Sequence, residues 1–294
     1  MDRCEAARAC LADPAIATRV DAVSRAVVRM RQNLADPHCL RDHAHAGLLS
    51  PFHFHRVFRM VTAATPARFL AALRMAEAQR LLVRSRLRVT DIALRVGYSS
   101  LSSFTAQFTR LVGFSPRRFR ILVARAGDLP VGVAARSLEG QGRPEWPVLT
   151  TVVRDVANEA LFTGLFPYGI PQGRPASGAV TTGDEKLYLP LPSPGYYQLL
   201  SVSFAPDRSI ADTLADTQGS YRRVAALPGP VRICNEPPAA PCHLWLRQPQ
   251  LTDPPIVVAL PLLGVESALE AINESGMAAA RSASQEKPPK DSSH

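Results

Sequence analysis

Lysine is nearly missing from this chain, with 3 among 294 residues and none before position 186, against 31 arginines. The basic charge is therefore guanidinium charge, which GC-rich coding also produces on a solvated surface, so charge alone assigns no partner. Cysteine is scarce and unpatterned: 5 residues, at 4, 10, 39, 234 and 242, with no Cys-x-x-Cys pair. That excludes a disulfide scaffold and fits reduced thiols in a cytosol. No apolar run approaches the roughly 18 residues a membrane helix needs, and Asp2, Arg3 and Glu5 interrupt any apolar leader. Catalytic signatures are missing too. There is no Gly-x-Ser-x-Gly, no His-Glu-x-x-His, no phosphate loop and no Gly-x-Gly-x-x-Gly after a strand. Beyond residue 126 the only histidines are His243 and His294, and His243, beside Cys242 and Trp245, reads as packed strand. The expectation is a non-enzymatic protein without cofactor or metal.

What is present is unevenly spread. Residues 1–126 carry 21 Arg and 8 acidic residues, a net of +13, while residues 127–294 carry 13 basic and 17 acidic residues, a net of −4. Proline divides the other way, with 21 of 26 beyond residue 126. Basic charge confined to one region is what phosphate neutralisation requires.

That basic region holds an internal repeat. Residues 40–70 and 89–120 align at an offset of 50, pairing Gly47 with Gly97, Ser50 with Ser100, Phe54 with Phe104 and Phe58 with Phe108. The same offset pairs Thr65-Pro66 with Ser115-Pro116 and Arg68-Phe69 with Arg118-Phe119. A solenoid needs about three copies to bury a continuous core; two copies of a helix, a glycine turn and a serine-capped second helix form a bidentate reader of DNA. In each second helix the phenylalanine pair at i and i+4 faces inward. Phe52, His53, His55, Arg56 and Arg59 in the first copy, and Leu101, Ser102, Thr105 and Ala106 in the second, then look outward to a major groove, with Thr105, Thr109 and Arg110 placed for phosphates. Residues 66–83, free of glycine and internal proline, predict a stiff connecting helix, and the spacing of Val20, Val23, Val27, Met30 and Leu34 predicts a helix over 18–34 that covers the first copy.

Asp91-Ile92-Ala93, Val96-Gly97-Tyr98, Gly113-Phe114-Ser115-Pro116 and Phe119-Arg120, with SPFHFHRVFR at 50–59 and LRMAEAQRLL at 73–82, resemble the double helix-turn-helix of the AraC/XylS transcription regulators over roughly residues 18–122. The resemblance implies seven helices, two recognition helices in adjacent major grooves, promoter DNA and RNA polymerase as partners, and a place on the bacterial nucleoid. It places base readers at Phe52, His55 and Arg56 in the first helix and at Leu101, Ser102 and Ala106 in the second. Departures are visible. Ala106 stands where that family often carries Arg or Lys, Gln107 replaces a small apolar residue, Asp42-His43 falls opposite Ile92-Ala93, and the turn over 47–50 is one residue longer than usual. Cys39, His43, His45, His53 and His55 crowd together, but residues two apart on a helix point to different faces, so solvent- or DNA-facing histidines are expected rather than a metal site.

Beyond the repeat the fold class changes to a mostly-β domain, giving a multi-domain α and β protein. Short apolar stretches at 148–156, 160–166, 186–191, 196–204, 231–234, 242–247 and 256–262, separated by proline-glycine turns, predict a β-sandwich with one helix, 210–217. Pro194-Gly195-Tyr196-Tyr197 resembles the strand entry of transthyretin-like and carboxypeptidase-regulatory-like sandwiches; the alternative is a gyrase-inhibitor-like α/β small-molecule-binding domain. The expected organisation is a loosely ordered 1–17, a DNA-binding domain over 18–125, a linker over 126–146, a sandwich over 147–266 for effector sensing, self-association or protein contact, and a disordered tail over 275–294. A competing class is an enzyme or carrier β-domain fused to a DNA-binding module.

Overall fold

The computed structural model describes residues 14–266 apart from 140–147, 155, 157, 168–169, 184 and 237–239. The predicted tail over 275–294 and most of the predicted 1–17 segment lie outside the described residues. Within residue 14 to residue 126 the chain makes seven helices: α1 Pro14–Gln32, α2 Leu40–Ala46, α3 Pro51–Thr62, α4 Pro66–Arg84, α5 Val89–Arg95, α6 Leu101–Val112 and α7 Pro116–Ala126. Their starts follow local chemistry. Ser50, Thr65, Ser100 and Ser115 each accept a backbone N–H from the residue three positions on, and three of these caps are followed by proline at the first helical position.

The two units are built on the same aromatic ladder. Phe54, Phe58 and Phe69 have successive ring centroids 5.4 Å apart, and Phe104, Phe108 and Phe119 stack at 5.6 Å, each ladder ending in an edge-on pair. All six rings are fully buried. As the heptad spacing predicts, α1 lays Val23, Val27 and Met30 over the first ladder. The connecting helix α4 is buried on more sides than its apolar stripe requires: Ala72, Met75, Ala78 and Gln79 are covered as well as Phe69 and Leu73.

What covers α4 is the second half of the chain. Helix α9, Ile210–Ala215, packs along it, with Ile210 in the core of the second unit and an ion pair between Arg84 and Asp212. The Gln79 side chain donates a buried hydrogen bond to the Val257 carbonyl at 2.6 Å. Part of the stretch read as linker forms a further helix, α8, Val131–Leu138, where Gly132 lets the backbone approach Pro206: a Cβ there would stand 2.9 Å from the proline Cβ.

The strands form two sheets. β1 Val148–Arg154 lies between β4 Lys186–Pro190, antiparallel, and β8 Cys242–Trp245, parallel. The second sheet runs β3 Ser177–Thr182, β2 Ala160–Phe166, β5 Gly195–Phe204 and β6 Arg222–Ala226, all antiparallel, with β7 Val231–Ile233 pairing the start of β5. Leu149, Val153, Leu161, Leu165, Leu187 and Leu199 fill the space between the sheets, so this is a sandwich. β2 is buried on both faces. Its alternate residues Ala160 and Phe162 join Val202 and Phe204 in a core shared with α8, α9 and the second helical unit.

Three sequence expectations need correction. Residues 256–262 are not a strand: Pro254 and Pro255 have no N–H to give a ladder, the Val257 carbonyl and Ala259 N–H bond to Gln79 and to the Val112 carbonyl at the end of α6, and the chain turns helical at residue 260. β3 and β6 escaped the apolar pattern, because Ser177-Gly178-Ala179 and Arg222-Arg223 carry no large apolar residue. The helix over 210–217 has two companions in this half, α8 and the helical residues 260–266.

Candidate nucleic-acid interface

In α3 the side chains divide as the repeat predicts. Phe54, Val57, Phe58 and Thr62 are buried, while Phe52, Arg56, Arg59 and Met60 are exposed and His53 and His55 are half-buried on the flanks. Phe52 is 84% exposed, an unusual state for an aromatic ring with a buried ladder one residue pair away. Among the described residues neither Arg56 nor Arg59 has a hydrogen-bond or ion-pair partner, whereas Arg80, Arg84, Arg88 and Arg118 are paired with Glu77, Asp212, Asp91 and Glu266. Both α3 guanidiniums are thus free to meet an external acceptor.

The open side of α6 differs. Leu101, Ser102, Ala106, Thr109 and Arg110 are exposed and Thr105 is half-buried, and the six line one shallow groove along the helix. Arg110 donates to the Gln107 side-chain oxygen at 2.8 Å, and the Thr109 hydroxyl is turned back to the Thr105 carbonyl at 2.8 Å. Ser102 shares a 2.7 Å contact with the Ser100 cap. This helix presents short side chains and one tethered guanidinium.

The turns leading into α3 and α6 correct the repeat alignment. Leu48 N–H bonds to the His45 carbonyl and Leu49 N–H to Ala44; Gly97 N–H bonds to Leu94 and Tyr98 N–H to Ala93. These are matching helix-end motifs in which the left-handed residue is Leu48 at φ 58° in one unit and Gly97 at φ 83° in the other. Through α2 and α5 the units therefore align at an offset of 49, and only from the serine caps onward at 50. Gly97 matches Leu48 rather than Gly47, and Asp42 matches Asp91. The turn from the left-handed residue to the cap is one residue shorter in the first unit.

That register puts His43 opposite Ile92, and His43 is buried, which corrects the expectation of solvent- or DNA-facing histidines at this position. Its ring stacks on His38 at 4.9 Å and leans on Phe54, and its Nδ1 has no partner among the described residues. Burial, then the neighbouring His38, pull its pKa down to about 4, so at neutral pH it packs as an uncharged ring.

Two arginines missed in the sequence tie down the turns that lead into α3 and α6. Arg25 of α1 donates to the Ala46 and Gly47 carbonyls at the end of α2. Arg74 of α4 donates to the Leu34 carbonyl at 2.9 Å and the Asp36 carbonyl at 3.0 Å, and lies against Gly97 and the Tyr98 ring. No local sequence signal marks contacts between positions 21 to 40 apart, whereas the caps and phenylalanine pairs are written in adjacent turns.

A family model described as a helix-turn-helix domain matches residues 44–121. The transcriptional activator RhaR of Yersinia pseudotuberculosis serotype O:1b is 32% identical over 101 residues, covering 34% of this chain and 35% of that protein. RhaS of Escherichia coli O139:H28 is 42% identical over 66 residues, 22% of this chain and 24% of that one. The chain thus spans about a third or less of the length of these curated relatives. Among solved structures, the DNA-binding domain of AdpA in complex with a target DNA is 30% identical, covers 35% of this chain and 94% of that one, and superposes with a TM-score of 0.34. Across residues 44–121 the helical region is a helix-turn-helix domain, similar in sequence to parts of the activators RhaR and RhaS.

Proposed function

We propose that this protein is a sequence-specific DNA-binding transcription regulator that sets α3 and α6 in successive major grooves of promoter DNA and acts with RNA polymerase in a bacterial cytoplasm. The observation that carries this reading is the pair of equivalent helices, each anchored by a buried phenylalanine ladder and each turning an open face outward, joined through the glycine-free helix α4. The names of the relatives RhaR and RhaS, both transcriptional activators, support the same role. On α3 the base contacts fall to Phe52, His55 and Arg56, with Arg59 beside them and His53 on the flank; Arg56 is placed to meet guanine O6 and N7. On α6, Leu101, Ser102 and Ala106 face the groove, and Thr105 and Arg110 reach for phosphates. The short side chains of α6 give the larger share of sequence reading to α3. The region 147–266 serves as the sensing or contact domain, with the division between it and 18–125 falling in the stretch that contains α8.

The test is a gel-shift titration of the full chain against DNA fragments selected from a random pool. Selected fragments bind at least tenfold more tightly than random ones of equal length, and both lose affinity steeply with salt as counterions are released. Equal affinity for the two pools contradicts the reading.

A further inference from the structure

The outer face of the second sheet does not close completely against the helices. A cavity of about 1330 Å³ remains there, its walls made by that face, by residues 254–263 and by the end of α3. Leu200 and Val224 on the sheet, and Ile256, Leu260 and Leu263 opposite, all line it and all stay half-buried although they point into the protein. Apolar side chains that face one another across unfilled space are the mark of a small-molecule site rather than of a finished core. Apart from Arg59 and Lys186, the charged groups of the wall are already engaged. Arg247 is paired with Asp253 at 2.6 and 2.8 Å, Gln198 donates to the Leu227 carbonyl, and Glu139 accepts from the Thr182 N–H at 3.0 Å. A ligand therefore meets mostly hydrocarbon.

Two parts of the wall lead to the recognition helices. Residues 59–63, the last turn of α3, form one side. The connection after β2 contributes Pro167, Pro171 and Pro175, and between these prolines Ile170 is buried in the core of the first unit while Gly173 N–H bonds to the Leu111 carbonyl of α6 at 2.7 Å. One segment thus touches the cavity and both helix-turn-helix units.

We infer that this cavity binds an uncharged, largely apolar small molecule, and that its occupancy shifts the chain's affinity for DNA through the end of α3 and the connection after β2. The coupling rests on the DNA-binding reading above; the site does not. Because the coupling is thermodynamic, ligand and DNA change each other's affinity by the same factor.

The neutral fluorophore N-phenyl-1-naphthylamine, titrated into the full chain without DNA, tests the site. The expected result is one saturable site per chain with a blue-shifted emission, lost in Leu200→Trp, which fills the cavity from β5, and in Ala226→Trp, which does so from an exposed position on an edge strand. Circular dichroism spectra like that of the unaltered protein establish that both variants are folded. Absence of a saturable site, or equal binding by the unaltered chain and a folded variant, overturns the assignment. The titration is then repeated with selected DNA. A fivefold or larger change in DNA affinity at saturating dye, absent in the filled variants, supports the coupling; unchanged affinity overturns it. Failure to bind selected DNA even without dye overturns the function proposed above and the coupling with it, while the dye titration still decides the site.

Discussion

The two helix-turn-helix units share one plan and differ in how well their residues suit it. At the turn before the recognition helix the second unit has Gly97 in the left-handed region and the first has Leu48; after the recognition helix the second has Gly113 at φ 96° and the first has Ala63 at φ 55°. In the core the second buries Ile92 where the first buries His43. Each difference costs the first unit stability, since a side chain at positive φ is strained by roughly 1 kcal/mol and a buried imidazole without a partner for its nitrogen loses hydration. The second unit is also the better braced: its core is continuous with α8, α9 and the outer face of the sandwich, whereas the first unit takes from that half chiefly Ile170. The unit with the freer guanidiniums is thus the less stable one, consistent with function residing where structure is looser.

The largest expected effect that separates the units is acid sensitivity. His43 has a folded pKa of about 4 against an ordinary value of 6.5, so between these values the unfolded chain binds a proton that the native one refuses. Its contribution is complete above about pH 6.5 and disappears as pH falls to about 4, a loss of about 3 kcal/mol at 1.4 kcal/mol per unit. Asp42, His38 and Arg29 face the same ring, so the measure is a difference. Urea midpoints of the unaltered chain and of His43→Ile, which copies the second unit, should diverge across that window; parallel curves would sink the account.

Next comes the turn glycine of the second unit. A Cβ at Gly97 would stand 2.9 Å from the Ala35 carbonyl oxygen and 2.8 Å from the Arg74 guanidinium, besides the strain of its φ. Gly97→Ala should destabilise by about 2–3 kcal/mol in denaturant unfolding. A loss below half a kilocalorie would mean that the turn is not held against α4 as described.

For binding, Arg56→Ala should cost about 1–3 kcal/mol on a selected site and little on random DNA, because a base contact is sequence-selective and a phosphate contact is not. The contrasting change in the second unit, Arg110→Ala, should weaken both pools alike. Reversal of the two patterns would exchange the roles of α3 and α6.

The smallest effect has the opposite sign. Leu48 is 81% exposed and packs little, so Leu48→Gly should relieve strain without loss of contact and raise stability by about 0.5–1 kcal/mol. No change in the urea midpoint would indicate that the exposed leucine holds its turn at no cost.

The sequence was legible where local chemistry decides structure. Serine caps, proline at the first helical position and phenylalanines one turn apart gave both units and the open faces of α3 and α6. It was less legible where distant segments meet. The turn register slipped by one because two glycines, 47 and 97, invite pairing although only one of them is left-handed. The strand read over 256–262 failed because its continuous apolar run serves a helical core rather than a sheet, and β3 failed because its outer residues are small. The cavity had no signature at all, being lined by residues scattered from position 59 to position 263.

The central claim is that α3 and α6 read successive major grooves together. Methylation interference of guanine N7 on a selected fragment bound by the full chain tests it most directly. Two clusters of interference centred one helical turn apart, about 10 base pairs or 34 Å, on one face of the duplex are the expected result, with Arg56→Ala erasing one cluster and leaving the other. A single cluster, or two whose spacing is not a helical turn, would contradict the account.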